Sequence, residues 1–326
     1  MLTVYCLTPA GLKRLEREAE APLPEEAVWL DLLEPTTAEE RLVEARLGIE
    51  VPTREEMSEI ESSSRLYEEG GALYLTATVV TRLDTNLPQN AQVTFILKDT
   101  RLVTNRYVDP LPFRRFAAYV ERHPQSSASA PALLVGLIEF IVNRIADVIE
   151  RVGTDMDTIS AEVFNRRRES QRQARSQRDF RQLLEATGQG GELIAKARES
   201  LASLARLLAF VQQSTIPLPQ DVRTRLRTLS KDVVAMSDHA SFLNSNLNFI
   251  LDATLGMINI DQNNILKIFS VVTVFLLPPS VIAGIFGMNF ELIPTSGQPW
   301  GFAAALVLMV LSAVLPWLEF TRRGWL

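Results

Sequence analysis

The chain has 326 residues, 47% hydrophobic and 22% charged, with a formal net charge of −6. That is room for two soluble units, or for one soluble unit and a membrane part. A single cysteine, Cys6, excludes an intrachain disulfide and a thiolate zinc cluster. The only histidines, His123 and His239, stand in no metal-ligand spacing, and His239 behind Asp238 reads as a surface or packing residue. The acidic balance gives no reason to expect nucleic acid as a partner. No enzyme is expected: there is no Walker loop, dinucleotide fingerprint, or Ser-His or Cys-His constellation.

In chain order, Met1 to Thr8 lacks the basic region and long apolar run of a signal peptide. Val28–Leu33, Ala72–Val80, Val93–Lys98 and Arg101–Asn105 are apolar and rich in β-branched or aromatic residues, and so read as strands. Lys98-Asp99-Thr100-Arg101 reads as a hairpin turn between the last two. Thr37-Ala38-Glu39-Glu40 suggests a capping box opening a short helix that Gly48 ends. Residues 1–125 thus form an expected α/β or α+β domain with a partly antiparallel sheet.

From Pro131 the strand signals stop. Leu133–Phe164 repeats apolar residues at three-and-four spacing, a long amphipathic helix, and a second is expected from about Glu192 to Gln213. Between them Asn165–Arg181 carries seven arginines: Arg166, Arg167, Arg168, Arg172, Arg175, Arg178 and Arg181. That run suits a solvated helix face or tip, or attraction to anionic lipid. Pro217 and Pro219 break the chain. A helical pattern then runs from about Gln220 without a stop. Roughly 65 residues of helix would reach on the order of 100 Å, long enough for a stalk.

Ile268–Phe290 is free of charge for twenty-three residues, and Leu292–Leu318 for twenty-seven. A helix needs roughly 20 apolar residues to cross the hydrocarbon layer. Two such runs in tandem suit lipid better than a soluble core. The link between them, Glu291–Pro299, is short, so the crossings are expected to be antiparallel neighbours. Lys267, Arg322 and Arg323 flank the crossings on one side and the link has no Lys or Arg, which places both termini in the cytoplasm. Trp300, Trp317 and Trp325 fall at crossing ends, where headgroups hold such rings. The expected divisions are 1–125, 126–264 (helical hairpin and stalk) and 265–326 (membrane).

One stripe of the first crossing differs from the rest. Asn263, Leu266, Ser270, Thr273, Leu277, Ser280 and Gly284 recur at three-and-four spacing, and Asp252, Gly256 and Asn259 continue the spacing upstream. Ile268, Val271, Val272, Phe275, Leu276 and Ile282 occupy neighbouring faces that lipid would accept. A small-residue stripe serves either a packing seam or a pore. The oxygens of Asp252, Asn259 and Asn263 favour a pore, and Leu266 and Leu277 could gate it by dewetting. One copy cannot enclose a channel, so a symmetric homo-oligomer is required. Neutral acceptors hold a hydrated ion by its waters, weakly enough for release. This suits Mg²⁺, which dehydrates reluctantly.

At the end of the first crossing stands Gly287-Met288-Asn289, preceded by Ala283-Gly284-Ile285-Phe286 and followed by Phe290-Glu291. With two crossings and the ending Arg322-Arg323-Gly324-Trp325-Leu326, this resembles the CorA magnesium/cobalt transporter family. Ile265–Val272, Phe275–Pro279 and Val28-Trp29-Leu30-Asp31-Leu32 with Glu34-Pro35 extend the likeness over nearly the whole chain. The resemblance implies an α+β membrane protein with a cytoplasmic α/β/α domain, a long helical stalk and two C-terminal transmembrane helices, assembled as a homopentameric funnel in the inner membrane. It implies an outer mouth at Gly287, Met288, Asn289 and Glu291, with Asn289 binding the hydrated cation. Lower constrictions fall on Asn263, Leu266, Phe269 and Leu277. Mg²⁺ is implied both as cargo, alongside Co²⁺ or Ni²⁺, and as a regulatory ion, for which Asp232 and Asp238 are candidates. Thr295 after Pro294 leaves Glu291 the only acidic residue of the link, so weaker external cation capture is expected. The hairpin tip is arginine-rich where the family's is often acidic. The alternatives are a Zn²⁺ or Co²⁺ carrier of the zinc-transporting branch, and a membrane-anchored scaffold or sensor without flux.

Overall fold

The computed structural model describes residues 1–8, 11–16, 23–59, 61–83, 88–123, 129–165, 176–288 and 300–323. The chain divides into two compact units, Met1–Leu251 and Asp252–Leu326.

The first unit is built on seven strands: β1 (Leu2–Thr8), β2 (Gly11–Glu16), β3 (Ala27–Leu33), β4 (Leu66–Glu69), β5 (Ala72–Thr81), β6 (Gln89–Lys98) and β7 (Arg101–Arg106). They form one sheet in the order β2-β1-β3-β7-β6-β5-β4. Every neighbouring pair is antiparallel except β3 and β7. The central strands read as continuous apolar runs because both faces are covered: all ten residues of β5 are buried. The β4–β5 turn uses Gly70 (φ 55) and Gly71 (φ 73), backbone angles that a side chain disfavours. The expected turn after Lys98 forms with Asp99 at φ 51.

On one face α1 (Thr37–Leu47) contributes Val43 and Leu47 to a core with Leu30, Leu32, Ile96 and Val103. Gly48 ends α1 in the left-handed conformation, as expected. The capping box, however, is Thr36 with Glu39, one residue earlier than expected. Glu39 is held there because its carboxylate also accepts the Leu2 N–H of β1 at 2.7 Å. On the other face α4 (Leu111–Arg122) sets Phe113 and Phe116 against Phe95 and Trp29, ring centroids 6.3 and 5.7 Å apart. The short helices α2 (Arg54–Met57) and α3 (Ser62–Arg65) lead into β4.

One buried ion pair bolts the parallel strands together. Arg106 donates from Nε and Nη2 to Asp31 at 3.0 and 2.7 Å, and from Nη1 to Asp109 at 2.8 Å. Asp31 also accepts the Thr104 hydroxyl at 2.6 Å, and the Arg106 guanidinium lies 4.6 Å from the Phe113 ring centroid. Burial opposes the charge on Arg106, but the Asp31 carboxylate more than offsets this and raises its pKa.

Two long helices follow, α5 (Ala130–Asn165) and α6 (Ser176–Gln213). The second begins well before the expected Glu192. Of the arginine-rich segment, Arg166, Arg167, Arg168, Arg172 and Arg175 lie outside the described residues; Arg181, on α6, is exposed and paired with Glu185. α6 closes the open edge of β5 beyond β4: Ser203 accepts the Thr78 N–H at 2.9 Å and Ser200 donates to the Thr78 carbonyl at 2.8 Å. Gly188, Gly190 and Gly191 all lie inside α6, where each costs about 1 kcal/mol of helix stability relative to alanine.

The helix α7 (Gln220–Phe286) spans 67 residues, from the first unit into the second. Its covered seam in the first unit repeats at helical spacing: Val222, Leu226, Leu229, Val233, Ala240, Leu243, Leu247 and Ile250. A paired donation from Arg225 to Glu139 of α5, at 3.1 and 2.6 Å, pins its start. The second unit holds the rest of α7 and α8 (Gly301–Arg322). Both helices are long and apolar enough to cross a membrane, and none of α7's most apolar window is buried, against 11% of α8's. A core helix of a soluble protein would be covered.

Candidate functional site

Within the second unit, α7 presents two faces of different chemistry. Val271, Phe275, Pro278, Ile282 and Phe286 are half-buried and recur at three-and-four spacing. On α8 the covered positions recur likewise: Gly301, Ala305, Met309, Ser312, Pro316 and Phe320. Phe275 meets Phe320 with ring centroids 6.2 Å apart, which ties these two seams together. Val271, Phe275 and Ile282, expected to face lipid, therefore belong to the helix–helix seam. Ile268, Val272 and Leu276 are exposed at 53%, 46% and 62%.

The polar stripe lies on the other side. At about 100° per residue, Leu266, Ser270, Thr273, Leu277, Ser280 and Gly284 sit roughly half a turn from the seam. All six are exposed, as are Asp252, Asn259 and Asn263. A Cβ built on Gly256 or Gly284 would meet nothing within 4 Å. The alternative that this stripe is a packing seam therefore has no partner among the described residues. Phe269, 67% exposed, flanks the stripe one position out of register.

The hydroxyls of the stripe are polarised in one direction. Ser270 donates to the Leu266 carbonyl at 2.8 Å, Thr273 to Phe269 at 2.8 Å and Ser280 to Leu276 at 2.7 Å. With their hydrogens committed to the backbone, these side chains offer only acceptor lone pairs outward. A face of acceptors matches a species whose surface is all donors, and a cation inside its hydration shell is such a species.

At the end of the stripe the helix stops at Phe286. Gly287 N–H still bonds the Ala283 carbonyl at 2.9 Å, and Met288 N–H reaches Ile285 at 3.3 Å. A side chain on Gly287 would begin 3.0 Å from that Ala283 oxygen, a tight contact. Met288 is exposed at 50%. Asn289, Glu291 and the link 291–299 lie outside the described residues, as do Gly324, Trp325 and Leu326. Pro278 and Pro279 remain inside the helix although neither can donate to the turn before it.

Asp232 and Asp238 are both exposed on α7. Six positions apart, they point about 120° away from each other around the helix, roughly 9 Å apart along it, and cannot share one ion within a chain. Among the described residues no group of three or more His, Cys, Asp or Glu side chains is placed to hold a metal.

The model of the family described as "CorA-like Mg2+ transporter protein" matches residues 24–322. The chain belongs to that family. It is 32% identical over 326 residues to a magnesium transport protein CorA of Pasteurella multocida and 31% identical to one of Escherichia coli, both covered in full. Its fold is that of the complete CorA magnesium transporter of Methanocaldococcus jannaschii: TM-score 0.77 at 18% identity, covering 100% of this chain and 99% of that one. It also resembles a ZntB cytoplasmic domain from Vibrio parahaemolyticus, TM-score 0.59 at 9% identity, over 79% of this chain and 97% of that one. At such identities the likeness is one of fold and does not separate the ions carried. The family thus fits an N-terminal soluble α/β domain, a long helix and two candidate C-terminal spans.

Proposed function

We propose that this chain carries Mg²⁺ across a membrane, through a pore that several copies build from the exposed acceptor face of α7. The observation that carries the reading is the placement of that face: polar, uncovered, and turned away from the chain's own second span. Lipid would not favour it, and one copy cannot enclose it. The full-length relatives named magnesium transport protein CorA support Mg²⁺ as cargo. Neither a zinc carrier nor a flux-free scaffold has an observation in its favour.

On this reading residues 1–125 are the cytoplasmic α/β domain, 126–264 the hairpin and stalk, and 265–326 the membrane part of a homopentamer in the inner membrane. Lys267, Arg322 and Arg323 hold both termini in the cytoplasm. Gly287, Met288, Asn289 and Glu291 form the outer mouth, where the Asn289 oxygens bind the hydrated ion. Leu266, Phe269 and Leu277 form apolar constrictions. Co²⁺ and Ni²⁺ are further cargo. Mg²⁺ bound between copies, with Asp232 or Asp238 among its ligands, holds the pore closed when the ion is plentiful. Flux runs downhill: about 100 mV supplies roughly 4.6 kcal/mol for a divalent ion. The test is Asn289→Ala in a cell without other Mg²⁺ uptake. Uptake should vanish while the purified oligomer keeps its size; full uptake would overturn the assignment.

A further inference from the structure

The α5–α6 hairpin is covered along its inner side, with a cleft midway along its length. Near the sheet, Leu201, Leu204, Leu207 and Leu208 of α6 are fully covered. At the far end Val163, Phe180 and Leu183 are covered too. Midway, a cleft of about 480 Å³ opens between Val152 and Met156 of α5 and Thr187 and Gly190 of α6. Its floor is Leu247 and Ile250 of α7.

At this same level α6 reads Thr187-Gly188-Gln189-Gly190-Gly191. Nothing in the packing demands glycine there. A Cβ on Gly188 would meet nothing within 4 Å. On Gly190 or Gly191 it would stand 3.5 Å from a Leu247 methyl, an ordinary contact. Gly136 of α5 is different: its Cβ would fall 2.8 Å from the Phe116 ring. The three α6 glycines therefore weaken a helix without serving a close approach or a left-handed turn. A run of poor helix formers and an unfilled cleft coincide at this level, the combination expected of a segment that opens more readily than its neighbours.

We propose that α6 flexes at Gly188–Gly191, and that the far half of the hairpin swings there as Leu247 and Ile250 of α7 move into or out of the cleft. The far half is tied to α7 by Phe164 and Phe249, whose ring centroids lie 6.0 Å apart. Because α7 continues to Phe286 and carries the acceptor stripe, the flexure gives the transporter an element with two arrangements that a cytoplasmic ion can bias. This link to ion flow rests on the proposed function; the flexure itself does not.

The experiment is hydrogen–deuterium exchange on the full chain in lipid nanodiscs, paired with Mg²⁺ flux in proteoliposomes. In the wild type, amides of 184–194 should exchange at least about tenfold faster than those of 197–208. Gly188→Ala/Gly190→Ala/Gly191→Ala should slow 184–194 at least about tenfold, leave 197–208 unchanged and cut the initial flux at least about threefold. Gly188→Ala alone, entering open space, checks folding, and Gln189→Gly should speed exchange in the same turn. Uniform exchange in the wild type, or no slowing in the triple variant, overturns the flexure. Slowed exchange with unchanged flux overturns the link to α7. A wild type with no Mg²⁺ flux would overturn the functional reading and that link, while exchange still decides the flexure.

Discussion

Removing the stripe's hydroxyls separates a conducting face from a packing face. Consider Ser270→Ala/Thr273→Ala/Ser280→Ala. Each hydroxyl donates to a carbonyl four residues back at 2.7–2.8 Å, a bond that adds little to helix stability. Alanine is also the better helix former, by up to about 0.7 kcal/mol per site. Assembly and thermal stability should therefore hold or rise slightly. Flux should not. A hydroxyl accepting from a hydrated ion contributes about 1 kcal/mol net, so losing two such contacts at one layer raises the barrier by about 2 kcal/mol. That is on the order of a 30-fold slower passage. The assay is Mg²⁺ entry into proteoliposomes loaded with a Mg²⁺-sensitive dye, driven by a fixed K⁺-diffusion potential. Wild-type rates from a correctly assembled triple variant would refute the idea that these oxygens meet the ion.

Two further predictions concern the soluble unit. Arg106→Lys loses the paired grip on Asp31 inside a buried site and should cost about 3 kcal/mol, read as a lower unfolding temperature of the purified protein. Replacing both partners together, Asp31→Leu with Arg106→Met, should recover part of that loss, since no buried charge is left unpaired. Glu39→Gln tests a pH dependence. Burial opposes ionisation of Glu39, but the Thr36 N–H, the terminal ammonium and the Leu2 N–H hold its carboxyl below the ordinary range. A lowered carboxylate stabilises the fold in full above its unfolded pKa of about 4.3 and loses that contribution as pH falls through the folded value. The variant should thus be less stable than wild type at pH 7, by about 1–2 kcal/mol, and the difference should shrink as pH falls through the lowered folded value.

What the sequence made legible depended on whether one local signal had one solution. The start of α7 near Gln220 and its run into the first span were readable because the apolar repeat never breaks. Gly48 was readable as a helix end because the left-handed position favours glycine. The capping box was ambiguous: Thr36 with Glu39 and Thr37 with Glu40 have the same spacing. The choice is made by Leu2, on a strand more than thirty residues away in sequence. α4 went unseen because Pro110 and Pro112 look like breaks, although proline suits a first helical turn. β4 is a four-residue edge strand, half exposed and too short to show a pattern. β2 is an edge strand whose Lys13 and Arg14 hide its apolar positions. The first half of α6 was masked by its glycines and arginines. In the first span, two faces carry the same three-and-four spacing. Which of them meets α8 is decided only by contact, here Phe275 against Phe320.

The central claim is that the α7 face opposite α8 surrounds the ion. Single cysteines in a Cys6→Ala background, treated with a small membrane-impermeant cationic thiol reagent during Mg²⁺ flux, test it most directly. Cysteine at 266, 270, 273, 277, 280 or 284 should let the reagent block flux in a protein that conducts before treatment, whereas cysteine at 271, 275 or 282 should leave flux unchanged. Block at the seam positions with none along the stripe would contradict the account.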